Sequence, residues 1–241
     1  MKYVVSASNT VVIAACSGKS PGPAVVGPAR EAELLAAARE LGIREVSFLD
    51  YIDGDLDRAD PEEAVAKIAW HLRRIRPHVV ITFGPEGAYG HPDHIAISQF
   101  ATAAVVWAAD PHRLVAGKGQ TEHEVHAVSK LYYMAWTKSK WAAYQSALRD
   151  LKTTVEGVER KAAPWPDWAI TTLIDTGAYW PTVWRAVSCH KTQMGIYGQL
   201  EHLPEEHHKA IWGIQEYYRV FSLVNGGRKR ESDLFEGLRK S

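Results

Sequence analysis

Two histidines and a carboxylate lie within four residues of one another, at His91, Asp93 and His94. They follow a β-branched apolar run, from Val79 to Thr82, whose length and composition predict a buried strand. In open α/β sheets ligands bind outside the carboxyl ends of the strands, where loops vary without disturbing the core. These side-chain types offer a metal ligand, a partner that orients it and a proton-transfer group. We therefore expect a reactive site at the end of this strand.

The same residues also have a purely structural interpretation. Asp93 near the start of a helix is favoured by the helix dipole, with both histidines solvated. Three glycines in this stretch, Gly84, Gly87 and Gly90, favour the functional interpretation, because they allow another group to approach the backbone closely.

Composition narrows the class of protein. The 241 residues suit a single α/β domain over 1–241, and they are enough to bury a large core. The 28 acidic and 28 basic side chains balance, so we expect a small-molecule partner, no nucleic acid and no membrane. Two cysteines, Cys16 and Cys189, argue against a disulfide framework. The N-terminus resembles a lipoprotein signal only weakly, because polar residues interrupt its apolar run. We therefore predict a cytoplasmic protein.

Apolar periodicity predicts alternating strands and helices through the first half of the chain. The predicted strands are 11–15, 46–49 and 79–82, and the predicted helices are 28–41, 62–76 and 95–109. This order implies a parallel sheet with right-handed crossovers. The second half predicts strands at 127–136 and 170–174, helices at 141–151 and 179–189, an irregular segment at 137–167, and a helix or two short elements at 204–223.

Four blocks of sequence stand out along the chain. They are Arg30-Glu31-Ala32-Glu33-Leu34 with Leu41-Gly42 after it, Tyr89-Gly90-His91-Pro92-Asp93-His94, His190-Lys191-Thr192-Gln193, and Glu231-Ser232-Asp233-Leu234-Phe235-Glu236-Gly237-Leu238. With these blocks the chain, from about residue 11 to 238, resembles the PIG-L/LmbE-like deacetylases, which are zinc-dependent hydrolases that remove acetyl groups from N-acetylglucosamine derivatives and related amides. The resemblance implies a Rossmann-like three-layer α/β fold with a mostly parallel sheet.

The resemblance also implies roles for individual residues. His94 would be a Zn²⁺ ligand, and His91 would be the general acid that protonates the leaving amine. Asp93 would be part of the catalytic site and orient or tune its neighbours, while His190 would lie near the pocket. The implied partner is an N-acetylated amino sugar or a conjugate of one.

The chain departs from the family at its N-terminus. In the family the first strand ends in His-Pro-Asp-Asp, which supplies two further zinc ligands and the carboxylate base. Residues 1–10 contain no His, Asp, Glu or Cys, so we expect the family's first strand and helix to be missing. Since a catalytic zinc normally takes three protein ligands, other residues would have to be recruited. The candidates at neighbouring strand ends are Cys16, Asp50, Asp53 and His190.

Three hypotheses stay open on these grounds. The chain is a zinc-dependent amide hydrolase, or it is a non-catalytic, metal-depleted relative that binds sugar or serves as a scaffold, or its start was assigned too late and the missing segment lies upstream of Met1. Loss of a central strand would leave two strand edges unpaired, so we also expect aggregation, a homo-oligomer or a rearranged sheet.

Overall fold

The computed structural model describes residues 3–5, 10–16, 26–115, 119, 121–148, 152–155, 157–161, 163–227 and 229–239. Within these ranges the strands are β1 Tyr3–Val5, β2 Thr10–Cys16, β3 Glu45–Tyr51, β4 Val79–Phe83, β5 Lys130–Met134, β6 Lys152–Val155, β7 Val158–Lys161, β8 Thr172–Asp175 and β9 Ile214–Ser222. The longer helices are α1 Val26–Glu40, α2 Pro61–Ile75, α3 Pro92–Ala109, α4 Lys138–Leu148, α5 Trp180–Ser188 and α6 Glu205–Trp212.

Seven of the strands form one sheet in the order β3-β2-β1-β4-β5-β9-β8. Strands β2, β3, β4, β5 and β8 run in one direction, and β1 and β9 run in the other. The predicted α/β class with a mostly parallel sheet is therefore confirmed. Strands β6 and β7 pair separately as an antiparallel hairpin.

Strand β1 lies in the middle of the sheet, between β2 and β4, and is antiparallel to both. Val4 pairs with Val11 on one side and with Val80 on the other. The expectation of two wholly unpaired strand edges is therefore wrong, because a short segment that the sequence pattern did not single out bonds to part of each edge. Three residues suffice, since every second backbone group of a strand faces each neighbour.

The capping of α2 shows how local sequence fixes an element that packs under the site. The Asp60 side chain accepts a hydrogen bond from the backbone N–H of Glu63 at 2.8 Å, and Pro61 occupies the first helical position. Arg76 ends the helix in the left-handed conformation, with φ 54°. The buried stripe of α2 comprises Ala64, Val65, Ile68, Ala69 and Leu72.

The two faces of the sheet are covered differently. Helices α2 and α3 share one core cluster with Val80, Phe83 and Leu131 of the sheet. On the opposite face Val79 and Tyr132 form a smaller cluster. The residues of the C-terminal block that pack against this second cluster are Leu234, Phe235 and Leu238. The last block of the resemblance thus covers the middle of the sheet.

Two predictions about the second half need correction. The segment 204–223 contains α6 followed by the nine-residue strand β9, which pairs with β5 and β8. The segment 137–167, predicted to be irregular with one helix, contains α4 and the β6–β7 hairpin. Among the described helices none has both the length and the apolar character that a bilayer crossing requires.

Candidate active site

The loop after β4 is tightly folded around the predicted site. All five residues of β4 are buried, and the strand ends at Phe83. Positive φ angles follow at Gly87 (63°), Ala88 (66°) and Gly90 (76°). A non-glycine residue in this region is uncommon and disfavoured, so Ala88 holds backbone strain at the site. Such strain persists only where the surrounding structure enforces the conformation.

His94 is half-buried on the first turn of α3. Its ring stacks on Phe83, with centroids 4.0 Å apart and an angle of 7° between the planes. Its Nδ1 lies 3.2 Å from the carbonyl oxygen of Gly87, so Nδ1 carries the proton and donates to that carbonyl. This places the lone pair of the neutral ring on Nε2, which is the tautomer of a metal-binding histidine. A β-carbon on Gly87 would lie 2.7 Å from Cγ1 of Ile95, so glycine is needed there.

His91 caps the N-terminus of α3. Its Nδ1 accepts a hydrogen bond from the backbone N–H of Asp93 at 3.2 Å, so the proton of the neutral ring is on Nε2. The rings of His91 and His94 stack with centroids 4.7 Å apart. Tyr89 presents its ring edge-on to both, at 6.0 and 5.4 Å. The two histidines therefore form a pair with opposite tautomers, one with a donor at Nε2 and the other with an acceptor.

Asp93 is held in the interior, with only 3% of its surface exposed. Its Oδ2 accepts from the backbone N–H of Gly54 at 2.8 Å, and its Oδ1 accepts from that of Leu56 at 3.1 Å. Next to this contact Asp53 forms an ion pair of 2.6 Å with Arg30 of α1. Asp93 thus joins the loop after β3 to the start of α3, which fixes the position of the neighbouring histidines.

The proposed substitute ligands are exposed, half-buried, already paired or outside the described side chains. Asp50 is exposed, and the Asp53 carboxylate is paired with Arg30. His190 is half-buried beside α1, where burial lowers its pKa and the charge of Glu33 opposes that change. The side chain of Cys16 lies outside the described part of the chain.

Zinc binding requires a ligand set that the described residues do not bring together. Within the ranges that the structure describes, no group of three or more His, Cys, Asp or Glu side chains is arranged to hold a metal ion. A catalytic zinc normally has three protein ligands. The described residues alone therefore do not fit zinc, and the role of His94 as a ligand stays a prediction.

Two blocks of the resemblance contact each other. The carboxylate oxygens of Glu33 on α1 accept from the backbone N–H and the hydroxyl of Thr192, each at 2.7 Å. Because these residues are 159 positions apart, the pair closes a long stretch of chain. The Glu33 contact holds the turn after His190 against α1.

Glu86 is a residue near the histidines that the sequence did not single out. Burial raises the pKa of its carboxyl group, while hydrogen bonds from the Trp165 side chain and from nearby backbone N–H groups act against the increase. Its Oε2 is buried and has no hydrogen-bond partner among the residues that the structure describes. The only sequence signal was its place between Pro85 and Gly87 in the loop after a buried strand.

A cavity of about 340 Å³ lies beside α3, the helix that begins at the histidine block. Pro92 of the histidine block contributes to its wall, but neither histidine does. Its lining residues are Asp57, Pro61, Pro92, Ile95, Ala96, Gln99, Phe100 and Arg160. Arg160 also donates to the Gly90 carbonyl at 3.2 Å, which ties the β6–β7 hairpin to the histidine loop.

The fold resembles those of solved structures with different activities. An N,N'-diacetylchitobiose deacetylase from Pyrococcus horikoshii has a TM-score of 0.60 at 15% identity, covering 87% of this chain and 72% of that one. A 4-carboxy-2-hydroxymuconate hydratase from Pseudomonas putida has a TM-score of 0.58 at 18% identity, covering 90% and 86%. At such low identity these similarities establish the fold alone.

Proteins related in sequence identify the family of this chain, which the structural similarities do not. A relative from Streptomyces griseus, named 1D-myo-inositol 2-acetamido-2-deoxy-alpha-D-glucopyranoside deacetylase, is 32% identical over 238 residues, covering 88% of this chain and 71% of the relative. A protein of the same name from Kineococcus radiotolerans is 31% identical, covering 91% and 69%. The family model PIG-L, described as GlcNAc-PI de-N-acetylase, matches residues 2–105. The chain therefore belongs to the PIG-L family of de-N-acetylases, which are amide hydrolases.

Proposed function

We propose that this chain removes the acetyl group from an N-acetylglucosamine derivative, releasing acetate and the free amine. The observation that carries the proposal is the stacked pair His91 and His94 at the carboxyl end of β4, in a member of the PIG-L family. Relatives named for the deacetylation of N-acetylglucosamine linked to inositol support an inositol conjugate as the substrate class.

Hydrolysis of an acetamide adds water to the carbonyl carbon and breaks the bond from carbon to nitrogen. The departing nitrogen needs a proton, because an amide anion is a very poor leaving group. His91 would supply it from the imidazolium form, because a neutral imidazole is too weak an acid to give up its Nε2 proton. Nδ1 then keeps the second proton, so its contact with the Asp93 N–H must be released when the ring is charged. His91 would donate from Nε2, while Asp93 keeps the helix start in place.

Zinc at His94 remains part of the hypothesis. The hydrogen bond from Nδ1 of His94 to the Gly87 carbonyl supports it, because it selects the tautomer in which histidine binds a metal through Nε2. The absence of a three-ligand group among the described residues counts against it. We therefore assign no step of the reaction to the metal.

The direct test is acetate release from the inositol conjugate of N-acetylglucosamine by the purified chain. We expect activity in the wild type, a loss of about 100-fold or more in kcat for His91→Ala, and a comparable loss for His94→Ala. The matched control is His202→Ala, because His202 is exposed at the end of a separate turn, Gly198–His202. Equal rates in His91→Ala and the wild type would contradict the proposal.

A second candidate is a sugar-binding relative without hydrolysis, which the incomplete ligand set favours. Metal content by mass spectrometry, measured on the same preparation before and after chelation, separates the candidates together with the acetate assay. Sugar binding without acetate release at any added zinc concentration would support this second function. One bound zinc per chain together with acetate release would exclude it.

A further inference from the structure

The Glu86 side chain lies across the carboxyl end of β4. Its carboxyl group folds back over Gly84, so that a β-carbon built on Gly84 would lie 2.8 Å from Cδ of Glu86. Such a contact is too short for any residue other than glycine to leave the carboxyl group undisturbed. The conformation of Glu86 therefore depends on glycine two residues earlier.

The carboxyl group has hydrogen-bond donors near it, but its Oε2 has no partner among the described residues. It receives hydrogen bonds from the Trp165 side chain and from backbone N–H groups of the loop, including that of Ala88. Oε2 is shielded from solvent and, in the part of the chain that the structure describes, accepts no hydrogen bond. A buried acceptor without a donor is unfavourable and is rare in native structures. A ligand that brings a donor to Oε2 would remove this penalty.

Glu86 is attached to the loop that holds the histidines. Its carbonyl accepts from the backbone N–H of Gly90 at 3.1 Å, and Gly87, which follows it, bonds to His94 through its carbonyl. The ring centroids of Trp165 and Tyr218 are 5.2 Å apart. This packing fixes the position of the Trp165 side chain, which bonds to the Glu86 carboxyl group. The unpaired Oε2 thus lies at the same end of the sheet as the histidine pair.

We infer that Glu86 binds the substrate by accepting a hydrogen bond at Oε2 from a hydroxyl group of the sugar ring. This inference rests on the proposed function. A sugar hydroxyl is a neutral donor, so it satisfies the buried oxygen without placing a second charge beside it. Trp165 is a positioning residue in this arrangement, since it holds the carboxyl group and does not itself contact the reacting amide.

Glu86→Gln tests the inference by kinetics. The amide oxygen of glutamine would take the side facing the Trp165 N–H, leaving its NH₂ group where Oε2 was, so a hydroxyl could no longer donate there. We expect KM for the acetylated sugar conjugate to rise by about 10-fold or more, with kcat within about 3-fold of the wild type. Glu201→Gln, at an exposed position, is the control and should leave both constants unchanged.

Sugars that each lack one hydroxyl provide a test that does not depend on a variant folding. The 3-deoxy, 4-deoxy and 6-deoxy forms of methyl 2-acetamido-2-deoxy-α-D-glucopyranoside would be titrated into the chain by calorimetry. We expect one of them to bind the wild type about 10-fold more weakly than the parent sugar, and to bind Glu86→Gln as well as the parent does.

The outcomes separate this inference from the proposed function. Acetate release with an unchanged KM in Glu86→Gln, or equal binding of the parent and all three deoxy sugars by the wild type, would overturn the role of Glu86. If the wild type releases no acetate but binds the parent sugar in a manner that requires Glu86 and one hydroxyl, hydrolysis fails and the inference stands.

Discussion

Two carboxyl groups withdrawn from solvent, Glu231 in the C-terminal block and Glu86 in the histidine loop, show opposite uses of burial. Glu231 is 2% exposed and is surrounded by donors. The donors are Lys130 Nζ at 2.6 Å, Asn225 Nδ2 at 2.6 Å, Tyr132 hydroxyl at 2.7 Å, Thr172 hydroxyl at 2.8 Å and Arg219 Nη1 at 2.9 Å. Glu86 has an oxygen with no such donor in the described chain.

The pKa values of the two groups move in opposite directions for this reason. At Glu231 burial disfavours the charge, but hydrogen bonds from Lys130, Asn225 and their neighbours outweigh it and hold the pKa at about 2. At Glu86 burial prevails and the pKa is raised. A fully paired carboxylate stabilises the fold, whereas one with an open oxygen is suited to bind a ligand.

Removing the paired carboxylate should have the largest effect on stability. Glu231→Ala leaves the ammonium group of Lys130, which is fully buried, without its charged partner. We expect the free energy of unfolding to fall by about 3–5 kcal/mol, as for other broken buried pairs. Urea denaturation measures the change, with Glu201→Gln as an exposed control. A loss below about 1 kcal/mol would show that Glu231 is not the centre of this network.

The lowered pKa of Glu231 should also make the stability of the chain depend on pH. Because the pKa of Glu231 is about 2 in the folded chain and 4.5 for a glutamate side chain in water, its contribution is present above pH 4.5 and is lost as pH falls towards 2. The contribution is about 3 kcal/mol at neutral pH. In urea titrations the stability gap between the wild type and Glu231→Gln should narrow between pH 5 and pH 3. A constant gap would contradict the lowered pKa.

A smaller effect is expected at Asp93, whose carboxyl group accepts hydrogen bonds from two backbone N–H groups. Asp93→Asn replaces an ionised acceptor of two backbone N–H groups by a neutral amide that can serve one of them well. We expect a loss of about 2 kcal/mol in the free energy of unfolding. Asp57→Asn is the matched control, because Asp57 is exposed in the adjacent turn. Equal stability of the two variants would mean that the Asp93 contacts contribute little.

Glu86→Gln should have the smallest effect on the free energy of unfolding, and it should raise that energy where the other variants lower it. The raised pKa means that ionised Glu86 destabilises the folded chain at high pH, and that this penalty disappears as pH falls towards 4.5. At pH 8 we therefore expect the variant to equal or exceed the wild type by up to about 0.5 kcal/mol. Thermal unfolding at pH 8 and pH 5 measures this. A clear destabilisation at pH 8 would place Glu86 in the same class as Glu231.

Elements with strong local signals were predicted well. Strand β4 begins and ends within one residue of the predicted 79–82, and α2 matches 62–76 within one residue at each end. Strand β9 was missed, since residues 204–223 were predicted as a helix or two short elements. Its aromatic residues fit a helix as well as a strand, and only pairing with β5 and β8 makes this segment a strand.

In the candidate site, too, some features follow from local sequence and others only from the tertiary structure. The proximity of His91 and His94 follows from their spacing at a helix start, where residues three apart lie on one face. The bond of Asp93 to the loop after β3, the contact of Glu33 with Thr192 and the open oxygen of Glu86 all depend on partners or neighbours that no local pattern specifies.

The sequence by itself determined the α/β class, the resemblance to the PIG-L family and the cluster at 91–94, because periodicity and short motifs record interactions between near neighbours. The tertiary structure decided that β1 lies inside the sheet and that Glu231 is surrounded by hydrogen-bond donors. It also decided that Oε2 of Glu86 has no donor among the described residues. Those features depend on groups that are remote in the chain or on how tightly the fold excludes water, and neither is written in any short segment.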